Sequence, residues 1–256
     1  MNVLAPHKAA PGTDRARSAA LPVIEIFGPT VQGEGPDMGR PAYFVRFGGC
    51  DFRCTWCDSM HAVDPAIVRA TAQRLEPAEI RSQLGALQDG PDLVVLSGGN
   101  PALLELGQLV DLLHNEGFEV AVETQGSRWK PWLARVDRLV VSPKGPSSGM
   151  DSDTNRRSLT SFLQRAEDEG APPVLKAVIF DEADLEHARW LALTWPTLTL
   201  HLSTGTDIGL GEQETLRQLL ARLRWLCETV ALDRTLRHAQ VGTQQHVLAW
   251  GTRRGV

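Results

Sequence analysis

Runs of apolar, often β-branched residues alternate along the chain with stretches whose apolar residues recur at helical spacing. The runs predict strands at residues 23–27, 42–47, 92–97, 118–124, 137–142, 174–180 and 198–203. The predicted helices lie at residues 76–88, at 103–113 before Gly117, near 162–166, at 185–191 and at 212–231. Because strands separated by helices favour parallel βα units, the pattern predicts an α/β fold, built on an open sheet or a barrel.

Length and composition are those of an ordinary globular chain. It has 256 residues, 42% of them apolar and 22% charged. The net charge is −5 without a long run of Lys or Arg, so a nucleic-acid partner is not expected. No apolar run is long enough for a membrane-spanning helix. Residues 1–20 lack the apolar core of a secretory signal, so we predict a disordered leader before a single domain at 21–256, in the cytoplasm.

Polar, glycine-bearing segments follow three of the predicted strands. They are residues 98–101, 125–127 and 143–145. The carboxyl ends of parallel strands meet on one face, where βα proteins build their sites, and glycine lets a ligand approach the backbone closely. Glu123 and Lys144 would place opposite charges over the same mouth. The sequence therefore predicts a binding site at this face.

Three of the four cysteines, Cys50, Cys54 and Cys57, lie in one short segment, with three and two residues between them. The fourth, Cys227, lies in a predicted amphipathic helix and is expected to be a small buried hydrophobe. Clustered cysteines in a cytoplasmic chain are more often metal ligands than disulfide partners. With His61 they would complete a Cys3His zinc set. Alternatively, they hold three irons of a cubane cluster and leave the fourth iron to a small chelating ligand.

The C-x3-C-x2-C spacing resembles the signature of the radical S-adenosylmethionine enzymes. Trp56 lies where that superfamily usually has an aromatic residue. The "GGN" at 98–100 resembles its "GGE" motif, with Asn100 in place of an acid. The resemblance implies that the open iron binds S-adenosylmethionine and that cleavage of this cofactor supplies the reactive radical.

A longer match narrows the resemblance. "EIFGPTVQGEGPDMGRPAYFVRFGGCDFRCTWCDS" (25–59), "LSGGNPALL", "ETQG", "SPKGPSS" and "WGTRRGV" resemble the 7-carboxy-7-deazaguanine synthases, over most of residues 22–256. The family implies an abbreviated TIM-like (β/α) barrel and a homodimer. It implies a carbon–nitrogen lyase that converts 6-carboxy-5,6,7,8-tetrahydropterin into 7-carboxy-7-deazaguanine and ammonia, on the route to queuosine. It also implies a [4Fe-4S] cluster, S-adenosylmethionine used catalytically, Mg²⁺ and a flavodoxin or ferredoxin-type electron donor.

The resemblance implies roles for the matching residues. Cys50, Cys54 and Cys57 would bind the cluster, Ser59 would bind Mg²⁺, and the planar guanidinium of Arg46 would pair with the substrate's carboxylate. The other implied substrate contacts are Val31, Gln32, Gly33, Glu34, Ser97, His246 and Val256. The implied S-adenosylmethionine contacts are Trp56, Cys57, Asp58, Gly99, Asn100, Glu123, Ser142, Pro143, Lys144 and Ser203, near which the family often has Gln.

Two other classes of protein stay open at this point. A different radical S-adenosylmethionine enzyme, such as an activase with a protein substrate, would share the cysteine segment but not the "QGEG", "SPK" and "WGTRRGV" motifs. A zinc-bearing interaction protein would need only the cysteine segment and His61.

Overall fold

The computed structural model describes residues 20–256, and their central feature is a nine-stranded sheet. The predicted leader, apart from Ala20, lies outside the described residues. The strands are β1 (Leu21–Val31), β2 (Pro41–Phe47), β3 (Gln73–Leu75), β4 (Leu93–Gly98), β5 (Glu119–Thr124), β6 (Arg138–Val141), β7 (Val174–Ile179), β8 (Leu200–Thr204) and β9 (Gln240–Gly242). All seven predicted strands are present, and the two that the pattern missed, β3 and β9, have only three residues each.

The strand order is β3-β1-β2-β4-β5-β6-β7-β8-β9. Every neighbouring pair from β2 to β9 is parallel, whereas β1 runs antiparallel to both β2 and β3. No pairing joins β3 to β9, so the described sheet stays open. This mostly parallel, unclosed sheet confirms the prediction of an α/β fold of the partial-barrel type.

Eight α-helices accompany the sheet in the described part of the chain. They are α1 (Met60–Val63), α2 (Pro65–Thr71), α3 (Pro77–Gly85), α4 (Gly107–Asn115), α5 (Asp153–Asp168), α6 (Glu182–Thr194), α7 (Glu212–Leu232) and α8 (Gln245–Trp250). The pattern missed the short helices α1, α2 and α8. Within residues 20–256, no helix is long and apolar enough to cross a membrane.

Helix α4 begins later than the spacing of its leucines suggests. The segment Pro101–Leu103 forms a separate 3-10 turn, because the Asn100 side chain accepts a hydrogen bond from the backbone N–H of Ala102 at 3.2 Å. The end is as predicted: Gly117 has a φ of +86° just beyond the helix, and its N–H donates to the carbonyl of His114.

The strands present different side chains to the two faces of the sheet. Alternate residues such as Val45, Leu96 and Val122 pack with the helices into the main hydrophobic core. The opposite face carries a smaller apolar cluster that includes Phe44 and Val95. Farther along the same strands this face becomes polar, so the carboxyl ends carry the groups that can bind a ligand.

The prediction for Cys227 is wrong, because its side chain is exposed. Helix α7 buries Thr215, Leu219, Leu226 and Val230. Cys227 directly follows Leu226, and one residue turns a helix by about 100°, so its side chain leaves the buried stripe.

Candidate active site

A cavity of about 420 Å³ lies at the carboxyl ends of the parallel strands. It is lined by the loop after β1, the cysteine segment, the ends of β2 and β4–β7, and the C-terminal segment. The predicted site residues that line it are Val31, Gln32, Gly33, Glu34, Arg46, Cys50, Cys54, Trp56, Cys57, Asp58, Ser59, Ser97, Gly99, Glu123, Ser142, Lys144, His246 and Val256. Asn100, Pro143 and Ser203 do not line it. Residues from widely separated parts of the chain therefore share one cavity.

The cysteine segment forms one wall of this cavity. Cys50, Cys54 and Cys57 are free thiols. The Cys50 sulfur accepts hydrogen bonds from the Phe52 N–H at 3.4 Å and from Gln125 Nε2 at 3.6 Å. Burial raises the pKa of all three thiols, that of Cys57 to about 11. Three partly buried sulfurs at one wall suit a cluster that would hold them as thiolates.

A single zinc ion does not suit the same residues. Within residues 20–256, no group of three or more His, Cys, Asp or Glu side chains is gathered closely enough to hold one metal ion. His61 instead has its Nε2 3.5 Å from a carboxylate oxygen of Glu25. A cubane cluster distributes its ligands over different irons, so its thiols need not converge on one point. The geometry therefore favours the cluster over the Cys3His set.

The cysteine segment is fixed to the loop that follows β6. The Thr55 N–H donates to the Ser148 carbonyl at 3.0 Å, and Thr55 Oγ1 donates to the Ser147 carbonyl at 2.7 Å. Trp56 Nε1 donates to Ser147 Oγ at 2.9 Å. The Trp56 ring lies 5.2 Å from the Phe180 ring, so the aromatic residue between the second and third cysteines packs against the end of β7.

The "GGN" motif is packed against the strand that leads to the cysteines. The Gly99 N–H donates to the Phe47 carbonyl at 3.0 Å, and the Asn100 N–H donates to the Gly49 carbonyl at 2.7 Å. A Cβ on Gly99 would lie 2.1 Å from the Gly49 oxygen, so no larger residue fits. Glycine is needed here because two backbones meet closely.

Asn100 lies behind the cavity wall, with only 1% of its surface exposed. Its Nδ2 donates to Asp51 Oδ1 and to Ser127 Oγ, both at 3.0 Å. Its Oδ1 accepts from Thr124 Oγ1 at 2.8 Å and from the Ala102 N–H. These hydrogen bonds go to protein groups, so Asn100 links the cysteine segment to the ends of β4 and β5.

Ser97, Pro143 and Ser203 differ in their placement. Ser97 Oγ is buried at the cavity wall without a hydrogen-bond partner in the described structure, which leaves it available to a ligand. Ser203 Oγ is also buried and has no partner among the described residues, but it lies outside the cavity lining. Pro143 lines a much smaller cavity next to the main one.

One end of the cavity carries a basic group among oxygen atoms. Arg46 Nε donates to Glu25 Oε1 at 2.5 Å, and Nη1 donates to Ser59 Oγ at 3.1 Å. Ser59 Oγ donates to Asp58 Oδ1 at 2.9 Å. The guanidinium has five N–H donors and keeps others for a ligand. The sequence reasoning assigned no role to Glu25, although this residue begins the segment 25–59 that resembles the family.

His61 lines the same end of the cavity. Both of its ring nitrogens are buried and have no hydrogen-bond partner among residues 20–256. Burial lowers the pKa of His61, and the positive charges of Arg254 and Arg46 lower it further. A neutral imidazole beside two arginines leaves this end of the cavity suited to an anionic group.

A separate group in the cavity lining consists of two carboxylates and a buried lysine. Lys176 Nζ donates to Glu34 Oε2 at 2.6 Å and lies 3.5 Å from Glu123 Oε1. Gln244 Nε2 donates to Glu34 Oε1 at 2.5 Å, and Gln32 Nε2 donates to Glu123 Oε1 at 3.1 Å. The sequence reasoning missed Lys176 and Gln244. A charged residue inside the apolar strand "VLKAVIF" was a signal that could have found Lys176.

The contact between Glu34 and Lys176 shifts the pKa values of both groups. Burial alone would raise the pKa of Glu34, but Lys176 and His246 hold it at about 2. Burial alone would lower the pKa of Lys176, but Glu123 and Glu34 raise it above its usual range. Glu34 and Lys176 are therefore ionised together at neutral pH.

An open, mostly parallel sheet with a three-cysteine segment at the carboxyl ends of its strands defines a radical S-adenosylmethionine protein. Residues 44–165 match the model of the radical SAM superfamily. The crystal structure of QueE from Escherichia coli superposes with a TM-score of 0.62 at 22% identity, over 88% of this chain and 94% of that one. The structure of native anSMEcpe with bound AdoMet gives 0.51 at 12% identity, over 76% and 61%. These neighbours share the fold.

Sequence relatives define the family. The 7-carboxy-7-deazaguanine synthase of Bacillus cereus is 37% identical over 92% of this chain and 99% of its own length. The enzyme of the same name from Bacillus subtilis is 37% identical over 92% and 98%. The chain therefore belongs to the 7-carboxy-7-deazaguanine synthases, and it is a radical S-adenosylmethionine enzyme of the lyase class.

Proposed function

We propose that this chain converts 6-carboxy-5,6,7,8-tetrahydropterin into 7-carboxy-7-deazaguanine and ammonia, in the biosynthesis of queuosine and other 7-deazapurines. The observation that carries the proposal is the lining of one cavity. The three thiols, the group around Arg46 and the group around Glu34 all line it. Such a cavity suits a small molecule with a carboxylate at one end and N–H groups at the other.

The residues fit the cofactors of the superfamily. Cys50, Cys54 and Cys57 would hold a [4Fe-4S] cluster, and the unpartnered Ser97 and the polar strand end at Ser142 would line the remaining space. When bound, the cluster and S-adenosylmethionine supply the radical that abstracts hydrogen from the substrate. Arg46 would pair with the substrate's carboxylate through its remaining N–H donors, and so fix the reacting carbon in the cavity.

The loop after β1 would read the other end of the pterin. Glu34 in this loop supplies acceptors, and the Gln32 side-chain amide supplies both donor and acceptor groups. Glu123, at the end of β5, contacts Gln32 and would add an acceptor for the pterin, in place of the S-adenosylmethionine contact that the resemblance implies for it. The C-terminal segment, including His246 and Val256, lines the cavity and would exclude water from the reaction.

We also propose Mg²⁺ beside Ser59. Its hydroxyl contacts a carboxylate oxygen of Asp58, and both residues line the cavity. These oxygens, together with the substrate's carboxylate held by Arg46, support a site for a hard cation. Product formation should fall when divalent ions are chelated, and it should return on addition of Mg²⁺. Full activity after chelation would contradict this site.

The remaining assignments concern partners. We propose a homodimer, a flavodoxin or ferredoxin-type electron donor and a cytoplasmic location. The free, clustered thiols support the last of these, because a reducing compartment keeps thiols from forming disulfides. Sedimentation of the anaerobic protein tests the dimer, and a monomer at micromolar concentration would exclude it.

An anaerobic product assay tests the main proposal. Reconstituted protein, S-adenosylmethionine, 6-carboxytetrahydropterin, Mg²⁺ and a reductant should yield 7-carboxy-7-deazaguanine by mass spectrometry. Cys54→Ala should abolish the product, whereas Cys227→Ala should leave it unchanged because that thiol is exposed on α7. Formation of 5′-deoxyadenosine without the product would keep the radical chemistry but exclude the pterin substrate. Neither product, from iron-loaded protein, would contradict the whole proposal.

A further inference from the structure

Lys176 is a buried cation to which the reaction gives no direct task. It lies in the middle of β7 with 7% of its surface exposed, between the core residues Leu175 and Ala177. Lysine is rarely this buried unless its ammonium is paired. Here the ammonium contacts two carboxylates, Glu34 at 2.6 Å and Glu123 at 3.5 Å.

The two carboxylates differ in what remains free for a ligand. Both oxygens of Glu34 already accept hydrogen bonds, one from Lys176 and one from Gln244. Glu123 uses Oε1 for Gln32 and Lys176, and no side-chain hydrogen bond in the described part of the chain reaches its Oε2. The Glu123 side chain is 25% exposed and lines the cavity. Glu123 therefore offers the free acceptor, and Glu34 is held beside it.

Removal of the ammonium would leave the buried Glu34 carboxylate without its cation. Burial favours the protonated form of Glu34, which would then be a hydrogen-bond donor. With the ammonium present, Glu34 stays a carboxylate that only accepts hydrogen bonds. The low pKa of Glu34, about 2, agrees with this arrangement.

We infer that Lys176 is a positioning residue that keeps Glu34 ionised and holds it beside Glu123, so that this end of the cavity accepts N–H donors and rejects ligands with an oxygen there. The inference rests on the proposed function, because the 2-amino group and ring N–H of a pterin are the donors it would select. A 2-oxo counterpart of the substrate places a carbonyl where the amino group was. That carbonyl would face a carboxylate without a hydrogen between them, which is unfavourable.

The experiment compares 6-carboxytetrahydropterin with its 2-oxo counterpart in the wild type, Lys176→Met and Lys176→Arg. KM is measured for the pterin and an inhibition constant for the 2-oxo compound. We expect Lys176→Met to raise the pterin KM about 10- to 100-fold, the range for loss of a hydrogen bond to a charged group. Lys176→Met should also reduce the ratio by which the enzyme prefers the pterin over its 2-oxo counterpart. Lys176→Arg should keep that ratio, because arginine retains the positive charge.

Two further measurements separate positioning from general damage. Iron content and 5′-deoxyadenosine formed without substrate should stay near wild type in Lys176→Met. Lys130→Met is the matched control, since Lys130 pairs with Glu105 outside the cavity, and we expect no change in KM or preference. Equal loss of affinity for both compounds, with an unchanged preference, would overturn the inference.

Loss of one partner of a buried ion pair can prevent folding. Lys176→Met combined with Glu34→Gln removes one charge of each sign and serves as the second variant. If Lys176 acts by keeping Glu34 ionised, the double variant should have the same ligand preference as Glu34→Gln alone. If the double variant instead loses as much preference as Lys176→Met and Glu34→Gln lose when their separate effects are multiplied, the inference is overturned. A wild-type protein that forms no product from the pterin would instead refute the proposed function.

Discussion

Replacement of Asn100 by aspartate would place an acid where the radical S-adenosylmethionine "GGE" motif has one. The structure predicts that this restoration is harmful in this chain. Asn100 is buried, and its Nδ2 donates to Asp51 Oδ1 and Ser127 Oγ, both at 3.0 Å. A carboxylate has no hydrogen to give either partner. It would also face the Asp51 carboxylate across the distance that the hydrogen bond now spans.

The size of the effect follows from these contacts. Loss of a buried hydrogen bond to a charged acceptor costs about 1.5–3 kcal/mol, and the neutral bond to Ser127 contributes less. Repulsion from Asp51 adds to this, although the exposure of Asp51 reduces that contribution through solvent screening. We expect Asn100→Asp to lower the free energy of unfolding by about 2–4 kcal/mol at pH 7, a large effect for one substitution.

The assay is denaturant unfolding at pH 7 and pH 5. The new carboxyl group would have a folded-state pKa above its unfolded value, because burial and Asp51 both disfavour its charge. The penalty is therefore greatest above the folded-state pKa and decreases as pH falls. Asp51→Asn should restore part of the stability. Asn115→Asp, at an exposed position on α4, should change it by less than about 0.5 kcal/mol. Wild-type stability of Asn100→Asp at pH 7, or no rescue by Asp51→Asn, would refute the reasoning.

Three other substitutions test separate parts of the structure. Gly99→Ala should lower stability by about 2–4 kcal/mol and reduce iron content, because the new Cβ would lie 2.1 Å from the Gly49 oxygen on the backbone that leads to the cysteines. Arg46→Lys should raise the pterin KM about tenfold or more at unchanged iron content, since lysine lacks the planar fork. Burial lowers the pKa of His187 to about 4, so between pH 6.5 and 4 the unfolded chain binds more protons than the folded chain. The wild type should therefore lose about 3 kcal/mol of stability as pH falls through this window. His187→Phe has no imidazole to titrate and should not show this loss.

Each of these variants has a control. Gly85→Ala lies at the end of α3 with its nearest neighbouring atom at 3.8 Å, and should be at least as stable as the wild type. Arg81→Lys and His238→Phe change residues outside the cavity and should leave KM and the pH dependence unchanged. Full iron and stability in Gly99→Ala, an unchanged KM in Arg46→Lys, or the same pH dependence in His187→Phe would each contradict the corresponding reasoning.

The strands were predictable because burial on both faces leaves a continuous apolar run. Runs such as 42–47 and 118–124 therefore coincide closely with β2 and β5. The three-residue strands β3 and β9 carry too few side chains for any pattern. Cys227 shows the limit for helices. Cysteine occurs on both the buried and the exposed face of an amphipathic helix. A shift of one position along the helix turns the side chain by about 100°, which is enough to move it from the buried face to the exposed one.

The candidate site divides in a similar way. The cysteine spacing and the glycine-bearing strand ends were visible as motifs, and each of them contributes residues to one cavity. Asn100 was predicted from a motif alone, and the structure shows its side chain engaged with Asp51 and Thr124 behind the wall. Spacing along the chain identifies a strand end, but the direction of a side chain there depends on hydrogen-bond partners from other strands.

The contacts that no local pattern could reveal are those that cross the open side of the sheet. Glu34 meets Lys176 across 142 residues and Gln244 across 210 residues of sequence. The Gln245 N–H donates to the Gly33 carbonyl at 2.9 Å, so the loop after β1 is tied to α8 although β3 and β9 do not pair. An unclosed sheet leaves room for a ligand, and these contacts cover the gap with groups that can bind one. The same residues therefore complete the fold and form the end of the cavity at which we place the pterin ring.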